Sequence, residues 1–117
     1  MKFFITALLL ISIKTGACQS NKIVDEFIAT DSIRYSELMS NAMSVMDYKM
    51  SQVSDKKTNE EYFLEMMIAH HEGALNMSSA LLLNTKSKEL TNYAVSIITC
   101  QKNEIEYMKT LLKNMKK

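Results

Sequence analysis

The chain has 117 residues, 47% of them hydrophobic and 23% charged, with a formal net charge of +1. That length holds one domain at most. No basic face or run stands out, which argues against a nucleic-acid partner.

The chain opens as an export leader. Met1-Lys2 precedes the apolar run Phe3 to Ile13, and Thr15-Gly16-Ala17 leads into Cys18. A basic start, a short apolar core and small residues before a cut site are the parts of a signal peptide. The apolar run is too short to span a bilayer as a helix. Small residues directly before a cysteine predict a lipobox, with Cys18 acylated and anchoring the chain to a membrane. Lys14 and Thr15 depart from the usual form of that motif. The reading is residues 1–18 as leader and 19–117 as an exported domain, periplasmic or cell-surface. Losing Lys2 and Lys14 leaves 12 basic against 13 acidic residues, a net charge near −1. With Cys18 acylated, Cys100 stands alone and no internal disulfide can form. A lone thiol is buried, reactive or a metal ligand, and burial as a small apolar residue is the expectation.

The first predicted helix runs from about Asp25 or Asp31 to Val53. Its apolar stripe is Tyr35, Leu38, Met39, Ala42, Met43, Met46, Met50 and Val53. A break near Thr30-Asp31-Ser32 would make four helices in all. The polar run Ser54 to Lys57 ends this helix. Thr58 then stands three residues before Glu61, the spacing of a capping box, and starts a second helix that reaches about Leu83. The third follows Asn84 to Ser87 and runs close to the C-terminus. Both connections are short, so neighbouring helices run antiparallel. The predicted fold is all-α, a small up-down bundle of three long helices. A core this small leaves faces that a second copy could complete, so a homodimer is one compatible assembly.

Nine of the ten methionines follow the leader, and the chain has no proline, no tryptophan and two glycines. Methionine fills irregular cores and is also a soft thioether ligand. On the second helix Phe63, Met67, His70, Ala74, Met77 and Leu81 form a stripe. On the third, Leu90, Ala94, Ile97, Gln101, Glu104, Met108, Leu111 and Met115 do the same. Each is apolar except near its middle. Counting outward from a hairpin centre between Thr85 and Lys86 sets His70 level with Gln101, and Met67 level with Glu104. Counting from Lys57 sets Met43 level with His71. Polar groups buried together are paired with each other or with an ion. His70 and His71 point about 100° apart. Met66 lies one turn before His70, Met67 one turn before His71, and Met77 two turns after His70. Imidazole and thioether donors together favour Cu(I) or Ag(I) over hard ions. The candidate ligands are His70, His71, Met66, Met67, Met77, Met43 and Met108. Gln101 and Glu104 are expected to orient an imidazole from outside. Equally, methionine and a core histidine serve as plain packing.

The run Phe63-Leu64-Glu65-Met66-Met67-Ile68-Ala69-His70-His71-Glu72-Gly73-Ala74-Leu75-Asn76-Met77 resembles the signature of a bacterial exported family catalogued as a domain of unknown function, roughly F-x-x-x-M-I-P-H-H-x-x-A-x-x-M. Ile97, Gln101, Glu104, Ile105 and Met108 match the second part of its pattern, I-x-x-x-Q-x-x-E-I-x-x-M. The match spans about residues 60 to 115. The resemblance implies a ferritin-like helical bundle and, from a periplasmic copper-binding member, a role in copper or silver resistance. Carried onto this chain, the motif residues are Met67, His70, His71, Met77, Gln101, Glu104 and Met108. Ala69 replaces the usual proline, and Glu60 and Glu61 stand where an aspartate is usual. Gly73 inside a helix costs about 1 kcal/mol relative to alanine and would permit close helix approach.

Three functions are compatible with these residues: a non-enzymatic binder of Cu(I) or Ag(I), a metal-free interaction module, and a di-iron enzyme. Di-iron sites use Glu-x-x-His on two helices. Met67 and Ile68 stand three before His70 and His71, and the third helix has no histidine, so the last is disfavoured. No nucleophile with a recognisable triad context appears, and the expectation is no enzyme activity.

Overall fold

The structure is a computed structural model and describes residues 26–116. The predicted leader and Cys18 lie outside the described residues. Within them the chain forms α1 (Tyr35–Ser51), α2 (Asn59–Asn84) and α3 (Lys88–Met115), with no strand. An all-α bundle of three helices is as expected. Residues 26–34 are not helical, so α1 starts at Tyr35 rather than near Asp25 or Asp31. Ser32 N–H donates to Thr30 Oγ1 at 3.1 Å, a local turn that competes with helix at the predicted break.

The helix starts follow local chemistry. Thr58 Oγ1 accepts from Glu61 N–H, and the Glu61 carboxylate accepts from Thr58 N–H, each at 3.2 Å. This is the reciprocal capping box that the sequence predicts. Ser87 Oγ accepts from Leu90 N–H and opens α3. Three residues, Thr85 to Ser87, join α2 to α3, so the two run antiparallel.

α2 is the central element. It packs against both α1 and α3, and those two helices do not pack on each other. At about 100° per residue, the positions show why. Ala69, Gly73 and Ala80 lie on one side of α2 and are buried. Leu38, Ala42 and Val45 of α1, each no more than 1% exposed, cover that side. Leu64 lies on the opposite side, in a cluster with Ile105 and Met108 of α3; Met67, Ile68 and Leu75 pack around it. The bundle is therefore a single layer of three helices, with α2 in the middle and two broad faces left open.

The two faces differ. One carries ion pairs, Lys49 to Glu72 at 2.7 Å and Lys57 to Glu65. The other carries most of the residues that the sequence reading placed in the core stripe of α2. Phe63 is 60% exposed and His70 is exposed, while Met77 and Leu81 are half-buried. The stripe has the spacing of a buried face. In this chain α1 and α3 take the sides next to it instead.

Candidate metal centre

His71, rather than His70, is the histidine that faces α3. Its ring leans back over the preceding turn, as helix side chains do, and Nδ1 lies 2.7 Å from the Met67 carbonyl oxygen. A carbonyl only accepts, so Nδ1 donates to it. Nε2 lies 2.9 Å from Glu104 Oε2 of α3; a carboxylate likewise only accepts, so in this contact Nε2 donates too, and it would have to give up that proton to a metal ion. The imidazole is 13% exposed and the carboxylate 58%. The ring is thus held by the helix, while its partner is free to turn into water.

The ring that reaches Glu104 belongs to the residue one turn after Met67, the position that the hairpin count set level with Glu104. His70 leaves the helix on the open face, between the α1 side and the α3 side. The two ring centroids are 6.2 Å apart, with planes at 66°.

The methionines divide into two groups. Met108, 8% exposed, sits in the α2–α3 core with Leu64 and Ile105, and Met67 packs against that cluster. Met108 serves as packing there, and Met67, half-buried, lies between that cluster and the open face. Met66 and Met77 are half-buried and lie, with His70, Phe63, Ala74 and Leu81, within an arc of roughly 80° on the open face of α2. Met43 is 49% exposed on α1 and is not brought level with His71. The A–B register is displaced from the count because Met46, not Met43, meets the middle of α2. A Cβ on Gly73 would lie 2.6 Å from Met46 Cγ and 2.9 Å from its Cβ. Gly73 therefore serves as the cradle for Met46, the close approach expected of it.

Two further placements differ from or extend the sequence reading. Cys100 is exposed, not buried. Its position on α3 lies off the α2 contact. Gln101 points inward, and its Oε1 is buried without a hydrogen-bond partner. An acceptor left unpaired in a protein interior costs roughly 1–3 kcal/mol.

Among the described residues, no three His, Cys, Asp or Glu side chains gather around one point. The donor set near α2 is two imidazoles with thioethers, which suits a soft monovalent ion in chemistry. A closed all-nitrogen or carboxylate cage is not what these residues build. The imidazoles, the sulfurs and the α3 groups do not all meet at one depth. His71, Glu104 and Gln101 belong to the α2–α3 seam, and His70, Met66 and Met77 to the face beside it.

Fold and site together describe an all-helical protein with an adjacent histidine pair on its central helix, bordered by methionines. The profile of the family described as a domain of unknown function (DUF305) matches residues 21–112, and the chain belongs to that family. The resemblance seen in the sequence holds at that level. No curated protein and no solved structure matches the chain.

Proposed function

We propose that the protein is an exported, non-enzymatic binder of a soft monovalent metal ion, Cu(I) or Ag(I), acting in copper homeostasis or resistance. The observation that carries this reading is the mounting of His71. Its Nδ1 is fixed on the Met67 carbonyl, and its Nε2 faces a carboxylate that is itself largely exposed. A ring held this way is oriented in advance to ligate through Nε2 once Glu104 turns away and the Nε2 proton is released. His70, Met66 and Met77 supply further donors of matching softness on the adjoining face, and the family likeness includes a copper-binding member. Glu104 and Gln101 are the outer groups that steady or adjust the site. Lipidation at Cys18 would hold the domain at a membrane surface.

The test is an anaerobic titration of the purified protein with Cu(I) under reducing conditions, with Zn²⁺ and Fe²⁺ in parallel. Tight Cu(I) binding is expected, lost in the His70→Ala/His71→Ala double variant while helicity is kept. A native-state ligand also raises the melting temperature by mass action. Equal Cu(I) affinity in the double variant would remove this site. No melting shift at saturating Cu(I) would leave the domain as an interaction module with methionine packing.

A further inference from the structure

The open face of α2 is uncharged from Tyr62 to Asn84. α2 contains no Lys or Arg, and in that stretch its acidic residues are Glu65 and Glu72. Both turn to the other face, paired with Lys57 and Lys49. The remaining stripe is Phe63, Met67, His70, Ala74, Met77 and Leu81. Its steps of four and three read the same in both directions. Laid antiparallel on itself about the level of Glu72, it sets Phe63 against Leu81, Met67 against Met77, and His70 against Ala74. Large residues meet large ones, thioether meets thioether, and the imidazole meets the smallest side chain, which leaves it room.

We infer that this face is covered by the same face of a second copy, antiparallel about a twofold axis. His70 then has Met67 of its own chain on one side and the partner's Met77 beside it, so each copy completes the soft-metal site of the other. The shared site rests on the function proposed above; the pairing does not. Three observations favour a second copy over other occupants. The fold is short of core: among the described residues, the large side chains buried to below 2% exposure are Leu38 and Val45. A small domain in that position gains stability by burying the same patch twice. The face also carries no cation. The α3 residues on its flank, Tyr93, Cys100, Glu104, Tyr107 and Leu111, include none, whereas a surface that docks on anionic lipid is rich in Lys and Arg. Finally, a hollow lined by Phe63, Leu64, Leu111 and Met115, with Asn59 and Glu60 at its edge, opens beside Phe63. The antiparallel register delivers the partner's Leu81 there.

Sedimentation equilibrium of the purified protein, with and without Cu(I), tests the pairing. The native chain is expected to be a dimer. Phe63→Glu and Leu81→Lys should each give a monomer of unchanged helicity, because a buried unpaired charge breaks the interface. The Phe63→Glu/Leu81→Lys double variant should recover the dimer, since the register sets each glutamate against a lysine of the other copy. Cu(I) affinity should fall about tenfold or more in the monomeric variants, although every proposed ligand is intact. A native chain that stays monomeric with Cu(I) present overturns the inference. So does a Phe63→Glu protein that remains dimeric, or co-sedimentation of the native monomer with anionic vesicles that Phe63→Glu abolishes. A dimer whose monomeric variants keep full Cu(I) affinity overturns the shared site. If no form binds Cu(I), the soft-metal function fails, and the sedimentation of the charge variants still decides the pairing.

Discussion

The two sides of α2 are built on different principles. Toward α1, the helix offers alanine, glycine and alanine, and α1 answers with Leu38, Ala42 and Val45 at no more than 1% exposure. The contact is tight and apolar, and its one close fit is Met46 in the cradle of Gly73. Toward α3, the side chains are larger, and the seam holds a histidine, a carboxylate and an unpartnered amide oxygen. The α1 side is closed by small, fully buried residues, while the α3 side combines the larger cluster of Leu64, Ile105 and Met108 with polar groups in its seam. Departures from good packing of this kind tend to mark functional positions.

Breaking the α1 side should be the costliest change. Leu38→Ala removes a fully buried side chain from a small interface, and a loss of about 3 kcal/mol is expected in urea unfolding. That is a large share of a small domain's stability. A loss below about 1 kcal/mol would mean that the α1 contact is not the anchor described here. Gly73→Ala is subtler. The new methyl gains about 1 kcal/mol of helix propensity but forces Met46 out of its cradle, and overpacking costs roughly 1–3 kcal/mol. A net loss of about 1 kcal/mol is expected, and Met46→Ala in the same chain should turn it into a gain. If Gly73→Ala stabilises the native chain outright, the cradle is not a constraint.

Much of this layout was legible in the sequence, and the part that was not has a physical reason. The capping box at Thr58 and the short turn to α3 both depend on local spacing. They survive because short connections leave little freedom. The choice between His70 and His71 depends on which sides of α2 the other helices take. Periodicity shows a stripe but not what covers it. The signal was in the charges: Glu65 and Glu72 both mark the face opposite His70, and their lysine partners lie in α1 and the turn after it. Small residues were the second signal, since Ala69, Gly73 and Ala80 line the side where a helix comes closest. Val45 escaped the predicted stripe, although it is fully buried. The exposure of Cys100 was hidden for the same reason as the placement of His70.

The smallest effect expected is also the most telling about the α3 seam. Glu104→Gln removes a charge from the contact with His71 but keeps its shape. The carboxylate is 58% exposed, so the change in unfolding stability should stay below about 1 kcal/mol. Its effect on Cu(I) has a definite sign. A carboxylate beside Nε2 lends negative charge to an arriving cation, and it has open water to move into. A neutral amide lends no charge and can donate an N–H to Nε2, which competes with the metal. Affinity should therefore fall, by less than about tenfold, as befits a group outside the ligand set. His71→Ala should cost more than that, because it removes the donor itself. Titrating the two variants side by side separates the roles. Equal losses would make Glu104 a ligand, and a carboxylate ligand would shift the preferred ion away from the soft end. A gain in affinity for Glu104→Gln would instead make the carboxylate a lock on Nε2, and the α3 seam a gate that must open before metal enters.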